Sequence, residues 1–254
     1  MNLFKFHEFD IPVDLVNITG GGVDTFEAIS QAHIINLQKF IGIDANDSFL
    51  EIGCGIGRDA IPLTKILSPQ GSYLGVDIIR PSIDFCEQNI TPLYPNFKFI
   101  HFDVRDQLHN PSGLRSMGEY TLPLDDHAID KIIVWSVFTH MFDADIRHYL
   151  KEFKRVLKPD GAIYATCFVI TDPVLQRARE TNLTIFDLRF MHKVDSDCYI
   201  NDTTFPLGAI GYSPERWADM VNSSGLHFKR DFIKGGWSGY HAEPEDGQDA
   251  LVLV

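Results

Sequence analysis

The stretch Phe49-Leu-Glu-Ile-Gly-Cys-Gly-Ile-Gly-Arg58 decides the fold of this chain. It begins with a short apolar run, continues through three alternate glycines and leads into a helical pattern that extends to Leu67. An apolar run before a glycine-rich turn is typical of a buried strand, and glycines allow a tight turn into a helix. The N-terminus of such a helix attracts anionic groups. The stretch therefore predicts a strand, a ligand-binding turn and a helix.

Further strands alternate with helices on the C-terminal side of this stretch. Residues 71–77 form a second apolar segment that is closed by Asp77, and Pro81 opens the next helix. Strands and helices that alternate at this spacing predict a parallel sheet with right-handed crossovers. The other elements predicted here are strands at 97–102, 130–135 and 162–168, a loop over the site at 104–123, a helix at 143–157 and a turn at 158–161.

The pattern changes in the C-terminal third. Two apolar segments, 227–234 and 248–254, have only a loop between them, which predicts an antiparallel hairpin at the edge of the sheet. Ser213 followed by Pro214 predicts the start of a helix that runs to Ser224. The fold class expected from the whole chain is therefore α/β, with a doubly wound, Rossmann-like, mostly parallel sheet of seven strands and an antiparallel C-terminal hairpin.

Composition and charge narrow the range of partners. The 254 residues carry a formal net charge of −13, and nucleic-acid binding depends largely on basic side chains, so no nucleic-acid partner is expected. The chain shows no signal peptide and no apolar stretch of membrane-spanning length, and its four cysteines are scattered, which predicts a cytoplasmic protein with reduced thiols and no membrane partner. No histidine spacing is typical of a metal site, so no metal is expected.

The first glycine motif resembles that of the class I S-adenosylmethionine-dependent methyltransferases, in which an acid and three alternate glycines follow the first strand. The fingerprint of nicotinamide and flavin folds places its third glycine one residue later, where this chain has Arg58. The resemblance is strong over about residues 46–168 and extends to the C-terminal hairpin by topology only. It implies S-adenosylmethionine as the cofactor.

Acids at the ends of three successive strands, Glu51, Asp77 and Asp103, extend the resemblance. Asp77 lies where the family binds the ribose hydroxyls, with Ile78 packing on the adenine, and Asp103 lies where the family accepts a hydrogen bond from the adenine amino group, with Val104 donating its backbone N–H. Ligands of open α/β sheets bind at the C-terminal ends of the strands, so these positions converge on one crevice. The full set of cofactor-binding residues that the resemblance implies is Glu51, Gly53, Cys54, Gly55, Gly57, Arg58, Asp77, Ile78, Asp103, Val104, Ser136 and Val137.

The domain organisation expected with this resemblance is a single methyltransferase domain over residues 1–254. An N-terminal helical segment, residues 1–45, is expected over the cofactor. Residues 171–211 exceed what one crossover needs and are expected to form an inserted substrate cap.

Catalytic candidates come from the segment after the fourth strand. Methyl transfer from a sulfonium is an in-line displacement, and a hydroxyl acceptor also benefits from a base. His140 is the first candidate for that base and His241 the second, because imidazole titrates near neutral pH. The residues expected to face the acceptor are Asp106, Phe138, Tyr212 and Trp237.

The sequence thus predicts an enzyme that transfers a methyl group from S-adenosylmethionine to an oxygen of a small metabolite, a sugar or a polysaccharide unit. Three alternatives stay open: an N-methyltransferase of a small molecule, a non-catalytic S-adenosylmethionine-binding regulator, and an NAD-dependent oxidoreductase. Neither the acceptor nor the oligomeric state follows from the sequence.

Overall fold

A computed structural model describes residues 2–106, 109–116, 118 and 120–254 of the chain. Four positions of the loop predicted at 104–123, namely 107, 108, 117 and 119, lie outside the described residues, as does position 1. The chain divides into two compact units. Unit 1 consists of Met1–Arg115 and Ile129–Ile133, and unit 2 consists of Ser116–Ala128 and Val134–Val254.

The described residues form strands and helices in an alternating order that agrees with the α/β prediction. The strands are β1 (Leu3–Phe6), β2 (Phe9–Pro12), β3 (Ser48–Ile52), β4 (Ser72–Asp77), β5 (Phe97–His101), β6 (Ile129–Val134), β7 (Leu157–Cys167), β8 (His192–Lys193), β9 (Cys198–Ile200), β10 (Ile210–Tyr212) and β11 (Asp249–Leu253). The helices are α1 (Val13–Ile18), α2 (Phe26–Phe40), α3 (Ala60–Leu63), α4 (Arg80–Asn89), α5 (Asp143–Val156), α6 (Asp172–Thr181) and α7 (Pro214–Ser224).

The main sheet has the strand order β11-β7-β6-β3-β4-β5. The pairs β3–β4 and β4–β5 are parallel, and β11 is antiparallel to β7. The prediction of a mostly parallel, Rossmann-like sheet with an antiparallel C-terminal part is confirmed. The register pairs Ile52 with Val76 and Asp77 with His101, so the C-terminal ends of β3, β4 and β5 lie side by side at the same end of the sheet.

The prediction of seven strands is wrong, because the described sheet has six. The segment predicted as a strand at 227–234 pairs with β11 only through two isolated antiparallel bridges, Phe228 with Leu253 and Ile233 with Ala250. Between these bridges the segment has two more residues than the strand it faces. This surplus forms a bulge that interrupts the ladder, so the seventh strand is reduced to two points of pairing.

The turn predicted at 158–161 is also wrong, since these residues are extended and form the start of β7. Helix α5 ends at Val156, and the next residue, Leu157, already has the extended dihedral angles φ −73° and ψ 131°. Lys158 precedes Pro159, and the proline ring disfavours helical geometry in the residue before it. The chain therefore passes from helix to strand without a turn.

Unit 1 begins with a hairpin that the sequence did not predict. β1 and β2 are antiparallel and enclose His7 and Glu8, with Phe6 opposite Phe9. The predicted N-terminal helical segment 1–45 thus contains a hairpin as well as α1 and α2. Helix α3 is shorter than the predicted helix at 58–67, because Lys65 and Ile66 donate to carbonyls three residues back rather than four.

Unit 2 contains the segment 171–211, which the sequence predicted as a cap. It consists of α6 and a small antiparallel sheet of order β10-β9-β8. Helix α7 follows as predicted, with the Ser213 hydroxyl accepting a hydrogen bond from the Arg216 N–H over 3.1 Å.

Candidate cofactor and acceptor sites

The glycine turn after β3 has a backbone that only glycine adopts easily. Gly53, Gly55 and Gly57 have φ values of +79°, +52° and +81°. The N–H groups of Gly53 and Cys54 both donate to the carbonyl of Val76 over 2.8 and 3.1 Å, which fixes the turn against β4. The turn therefore presents bare backbone at the C-terminal end of β3.

Asp77 closes β4 and holds the centre of this turn. Its Oδ2 accepts the Gly55 N–H over 2.7 Å, and its Oδ1 accepts the Ile79 N–H over the same distance. Burial raises the pKa of the Asp77 carboxyl, and these two backbone hydrogen bonds oppose that rise. Each oxygen still has a lone pair for a ligand hydroxyl, because a carboxylate oxygen accepts more than one hydrogen bond. Ile78 beside it is half-buried, and its carbonyl lies 3.0 Å from His101 Nε2.

Asp103 lies two residues beyond β5, with Val104 buried next to it. Asn110 joins the two: its Nδ2 donates to Val104 O over 2.9 Å and to Asp103 Oδ1 over 3.3 Å. The sequence reasoning did not select Asn110. Asp106, predicted to face the acceptor, accepts the His109 N–H over 2.7 Å, and its backbone exchanges hydrogen bonds with that of Asn110 over 3.0 and 3.1 Å.

Glu51 and Cys54 are both buried at the end of β3 and the start of the glycine turn. Glu51 accepts a short hydrogen bond from the Tyr73 hydroxyl. Burial is the main cause that raises the pKa of the Glu51 carboxyl well above its usual value, and the nearby negative charge of Asp59 adds to this rise. Burial likewise raises the pKa of the Cys54 thiol, which keeps this sulfur protonated.

Arg58 follows the glycine turn and is held by the N-terminal segment. Its Nη1 donates to Thr19 O over 3.2 Å, its guanidinium carbon lies 5.8 Å from the centre of the Phe26 ring, and Ser30 donates to its carbonyl. Among the described residues, the buried Nε of Arg58 has no acceptor. A buried donor without a protein partner is what a site for an anionic group would contain.

Unit 2 holds the predicted residues that follow β6. Ser136 has a left-handed backbone with φ +55°; its N–H donates to Thr166 Oγ1 over 2.7 Å and its hydroxyl lies 3.0 Å from Gln248 Oε1. Val137 is the next residue and directly precedes a short 3₁₀ turn at Phe138–His140. A left-handed non-glycine residue is uncommon, and here two side chains fix it.

His140 contacts the predicted cap segment. Its Nδ1 lies 2.8 Å from the carbonyl oxygen of Leu207. Because a carbonyl only accepts, Nδ1 carries the proton in this bond, and in the neutral ring Nε2 is then the basic nitrogen. The ring is half-buried. This tautomer is the one that a base acting through Nε2 requires.

Three of the four residues predicted to face the acceptor are buried in unit 2. Phe138 is 0% exposed and packs near Phe153, and Tyr212 is 1% exposed and donates its hydroxyl to Met141 O over 3.1 Å. Trp237 is 5% exposed, packs edge-to-face on Phe168, and donates Nε1 to Asp249 Oδ2 over 2.7 Å. These positions correspond to packing roles, since little of each side chain is accessible.

His241, the second candidate base, is half-buried beside the ring of Tyr240. The loop that carries it packs on α6, where Ser238 O accepts from the Thr181 hydroxyl over 3.1 Å. A surface groove of about 560 Å³ in unit 2 contains none of the predicted site residues; its lining is Pro214, Glu215, Ala218, Phe228, Arg230, Asp231 and Phe232.

The described residues form neither a metal-binding cluster nor a membrane-spanning helix. They contain no group of three or more His, Cys, Asp or Glu residues placed to hold a metal ion. In the part of the chain that the structure covers, no helix has the length and apolar character needed to cross a bilayer.

Comparisons with known proteins agree with this geometry. Residues 49–161 match a family described as methyltransferase domain. A demethylmenaquinone methyltransferase of Lactobacillus johnsonii is 28% identical over 193 residues, which cover 74% of this chain and 71% of that protein. A tRNA N(3)-cytidine methyltransferase of Danio rerio is 27% identical over 130 residues, half of this chain but only 33% of that protein.

The fold is also similar to solved structures. A crystal structure of a SAM-dependent methyltransferase from Aquifex aeolicus shares 17% identity with a TM-score of 0.55, over 97% of both chains. The glycine turn, the sheet topology and these matches define a methyltransferase domain. Residues 49–161 match the methyltransferase-domain family, and the fold is that of S-adenosylmethionine-dependent methyltransferases, as the sequence resemblance predicted.

Proposed function

We propose that this enzyme methylates a hydroxyl group of a small polar acceptor, such as a sugar or another metabolite, with His140 as the base. The observation that carries this proposal is the contact of His140 Nδ1 with Leu207 O at 2.8 Å. It leaves Nε2 as the basic nitrogen and orients the ring, while the His140 N–H donates to Val137 O over 3.0 Å and fixes the backbone.

The cofactor half of the proposal lies in unit 1. Asp77 accepts from the ribose hydroxyls, and Asp103 accepts from the adenine amino group. The Val104 N–H, which the resemblance assigned to the adenine, donates instead to Phe102 O over 2.8 Å. Gly53, Gly55 and Gly57 leave room for the cofactor against bare backbone, and the buried Nε of Arg58 supports a site for its carboxylate. When bound, S-adenosylmethionine supplies a methyl group made electrophilic by the positive charge on sulfur.

The role of His140 follows from the chemistry of a hydroxyl acceptor. A neutral hydroxyl becomes a better nucleophile as its proton leaves, and Nε2 accepts that proton as the oxygen attacks the methyl carbon. The imidazolium formed then has protons on both nitrogens, and the Leu207 carbonyl stabilises the one on Nδ1. The step produces one methyl ether, one proton on His140 and the demethylated cofactor.

The net charge of the chain, rather than the names of its relatives, supports a small polar acceptor. The net charge of −13 disfavours a polyanion such as tRNA, which the zebrafish relative is named for. The predicted cap, residues 171–211, supplies the Leu207 carbonyl and a half-buried ring at Tyr199. A small acceptor enclosed by such a segment fits this arrangement.

The test compares two histidines that make the same kind of bond. His127 Nδ1 lies 2.9 Å from Leu157 O, as His140 Nδ1 lies 2.8 Å from Leu207 O. His140→Asn is expected to lower kcat by about 10²-fold or more with an unchanged cofactor affinity, whereas His127→Asn leaves kcat nearly intact. The assay measures labelled methyl transfer to a panel of sugars and hydroxylated metabolites. An undiminished rate in His140→Asn, or a product methylated on nitrogen or carbon, would overturn the proposal.

A further inference from the structure

An exposed apolar turn lies in unit 2 just after α6. Thr184 and Asp187 close the turn, with the Asp187 N–H donating to Thr184 O over 3.3 Å. Its two central residues are Ile185, which is 89% exposed, and Phe186, which is 62% exposed. The flanking Leu183 and Met191 are 62% and 57% exposed. We refer to residues 183–191 as the apolar turn.

The composition of this turn is unusual for a position in water. Turn centres are commonly Gly, Asn, Asp, Ser or Pro, because these residues suit the backbone or hydrogen-bond to it. Single exposed apolar residues are normal, but four within nine successive residues form a local surface of the kind that marks an interaction site.

The base of the apolar turn is fixed to the rest of unit 2. Leu188 and Phe190 are buried in a cluster with Phe168 and Trp237. The side-chain oxygen of Asn201 accepts the N–H groups of Arg189 and Phe190 over 2.8 and 3.0 Å. The apolar tip is therefore held outward by a packed and hydrogen-bonded base.

The charge around the apolar turn is opposite in sign to that of the whole chain. Residues 177–193 contain four basic residues, Arg177, Arg179, Arg189 and Lys193, and two acids, Glu180 and Asp187, whereas the whole chain carries −13. The side chains of Arg177 and Arg189 are 50% and 44% exposed and lie 3.7 and 2.6 Å from the carboxylates of Glu180 and Asp187. Lys193 is exposed, and the segment keeps a surplus of two positive charges. A basic rim around an apolar tip is complementary to an anionic lipid surface, where headgroups lie above acyl chains.

We propose that the apolar turn binds the surface of a bilayer that contains anionic phospholipids. Ile185 and Phe186 enter the boundary between headgroups and acyl chains, and the basic residues at both ends of the segment contact the phosphates. This contact is contrary to the expectation of no membrane partner, which rested on the lack of a membrane-spanning apolar stretch in the sequence. The proposal does not depend on the acceptor or on the role of His140.

The test measures co-sedimentation of the full chain with vesicles of phosphatidylcholine mixed with phosphatidylglycerol, and with vesicles of phosphatidylcholine alone. The variant is Ile185→Ser with Phe186→Ser. The matched control is Ile35→Ser with Leu93→Ser, which removes two apolar side chains that are 65% and 61% exposed in unit 1. Melting temperature and S-adenosylmethionine affinity report whether each variant is folded.

We expect the wild-type chain to bind the anionic vesicles and the turn variant to lose on the order of tenfold or more in partition coefficient. The control variant binds as the wild type does, and salt at about 1 M weakens the binding, since the Debye length is then about 3 Å. Three results would each overturn the proposal: no binding to anionic vesicles, equal binding by the folded turn variant, or a wild-type dimer that the turn variant converts to a monomer.

Discussion

The backbone N–H of Gly55 donates to Oδ2 of Asp77 over 2.7 Å, so the acid that closes β4 holds the centre of the glycine turn that follows β3. Parallel pairing brings these two strand ends together, with Ile52 opposite Val76. One carboxylate thus stabilises the shape of the turn and keeps lone pairs for a ligand. The first prediction concerns this carboxylate.

We expect Asp77→Asn to raise the dissociation constant for S-adenosylmethionine by about 10- to 100-fold, because charge-assisted hydrogen bonds contribute about 1.5–3 kcal/mol. The amide also places a donor where the carboxylate accepted from backbone N–H groups. Calorimetric titration measures the affinity. Asp84→Asn, which alters a partly exposed acid on α4 beside Arg80, is the control and retains wild-type affinity. Equal affinities for the two variants would remove Asp77 from the cofactor site.

A second prediction separates backbone strain from lack of space in the glycine turn. An added Cβ at Gly57 would lie 2.7 Å from Ile90 Cδ1, and its φ is +81°. At Gly20 the φ is +73° but nothing lies within 4 Å of an added Cβ. We expect Gly20→Ala to cost about 1–2 kcal/mol for the left-handed backbone alone, and Gly57→Ala to cost at least about 1 kcal/mol more.

Urea unfolding of the two glycine variants gives both free energies. Ile90→Val, added to Gly57→Ala, removes the Cδ1 methyl group that the new Cβ would contact. It is expected to recover part of the difference in the free energy of unfolding. Equal costs at the two positions would show that the surrounding structure accommodates the methyl group, contrary to the prediction.

A third prediction concerns Asp249, a buried carboxylate at the start of β11. It accepts three N–H groups, from Gly235, from Val169 and from the Trp237 indole, over 2.8, 2.9 and 2.7 Å. Asp249→Ala leaves all three donors without an acceptor, so we expect it to lower the free energy of unfolding by roughly 3 kcal/mol or more. Asp231→Ala, at an exposed acid, is the control and is expected to stay within about 0.5 kcal/mol of wild type.

The Asp249 experiment also has a spectroscopic readout. In Asp249→Ala the Trp237 indole loses its buried hydrogen-bond acceptor. The fluorescence of Trp237 is therefore expected to differ from that of the wild type even in the folded protein. A variant as stable as wild type would mean that water reaches these donors and replaces the carboxylate.

A fourth prediction concerns acid stability and the β1–β2 hairpin. Partial burial of Glu8 opposes its ionisation, but hydrogen bonds from Lys65 and Tyr94 outweigh this and lower the pKa of Glu8 from 4.5 to about 2. A depressed pKa means that the folded state favours the carboxylate, so its stabilisation is present above about pH 4.5 and is lost as the pH falls towards 2.

Replacing Glu8 by Gln is therefore expected to reduce the melting temperature at neutral pH, and the difference from wild type shrinks as the pH falls through this range. Glu87→Gln, at an exposed position on α4, controls for the general effect of losing a carboxylate. A difference between Glu8→Gln and wild type that stays constant with pH would contradict the assigned ion pair.

The sequence predicts those parts of the fold whose local backbone depends on particular residues. The glycines at 53, 55 and 57 do have left-handed φ values, and Ser213 does cap α7 through its hydroxyl. Motif spacing identified the methyltransferase class for the same reason, since the motif consists of residues that the turn itself requires. Elements of this kind are determined within a few residues of chain.

Features that depend on distant contacts were missed. The β1–β2 turn is closed by His7, with φ +51°, where hairpin turns usually have Gly or Asn. The bulge between Phe228 and Ile233 reflects pairing with β11 and is not marked by a Gly, Asn or Pro in the sequence. Aromatic type alone also does not distinguish a substrate contact from core packing, so Phe138 and Trp237 were placed among the residues facing the acceptor although both are buried.

His140 Nδ1 donates its proton to the carbonyl oxygen of Leu207, which lies within the segment predicted as the cap. Exchange of that segment between related enzymes, a common way to redirect specificity, would therefore also change the environment of the imidazole. A graft that lacks an acceptor at this position would allow the ring to rotate or to change tautomer. Chimaeras of this enzyme therefore need to retain backbone residues 206–208 together with His140, even when the rest of the segment is exchanged.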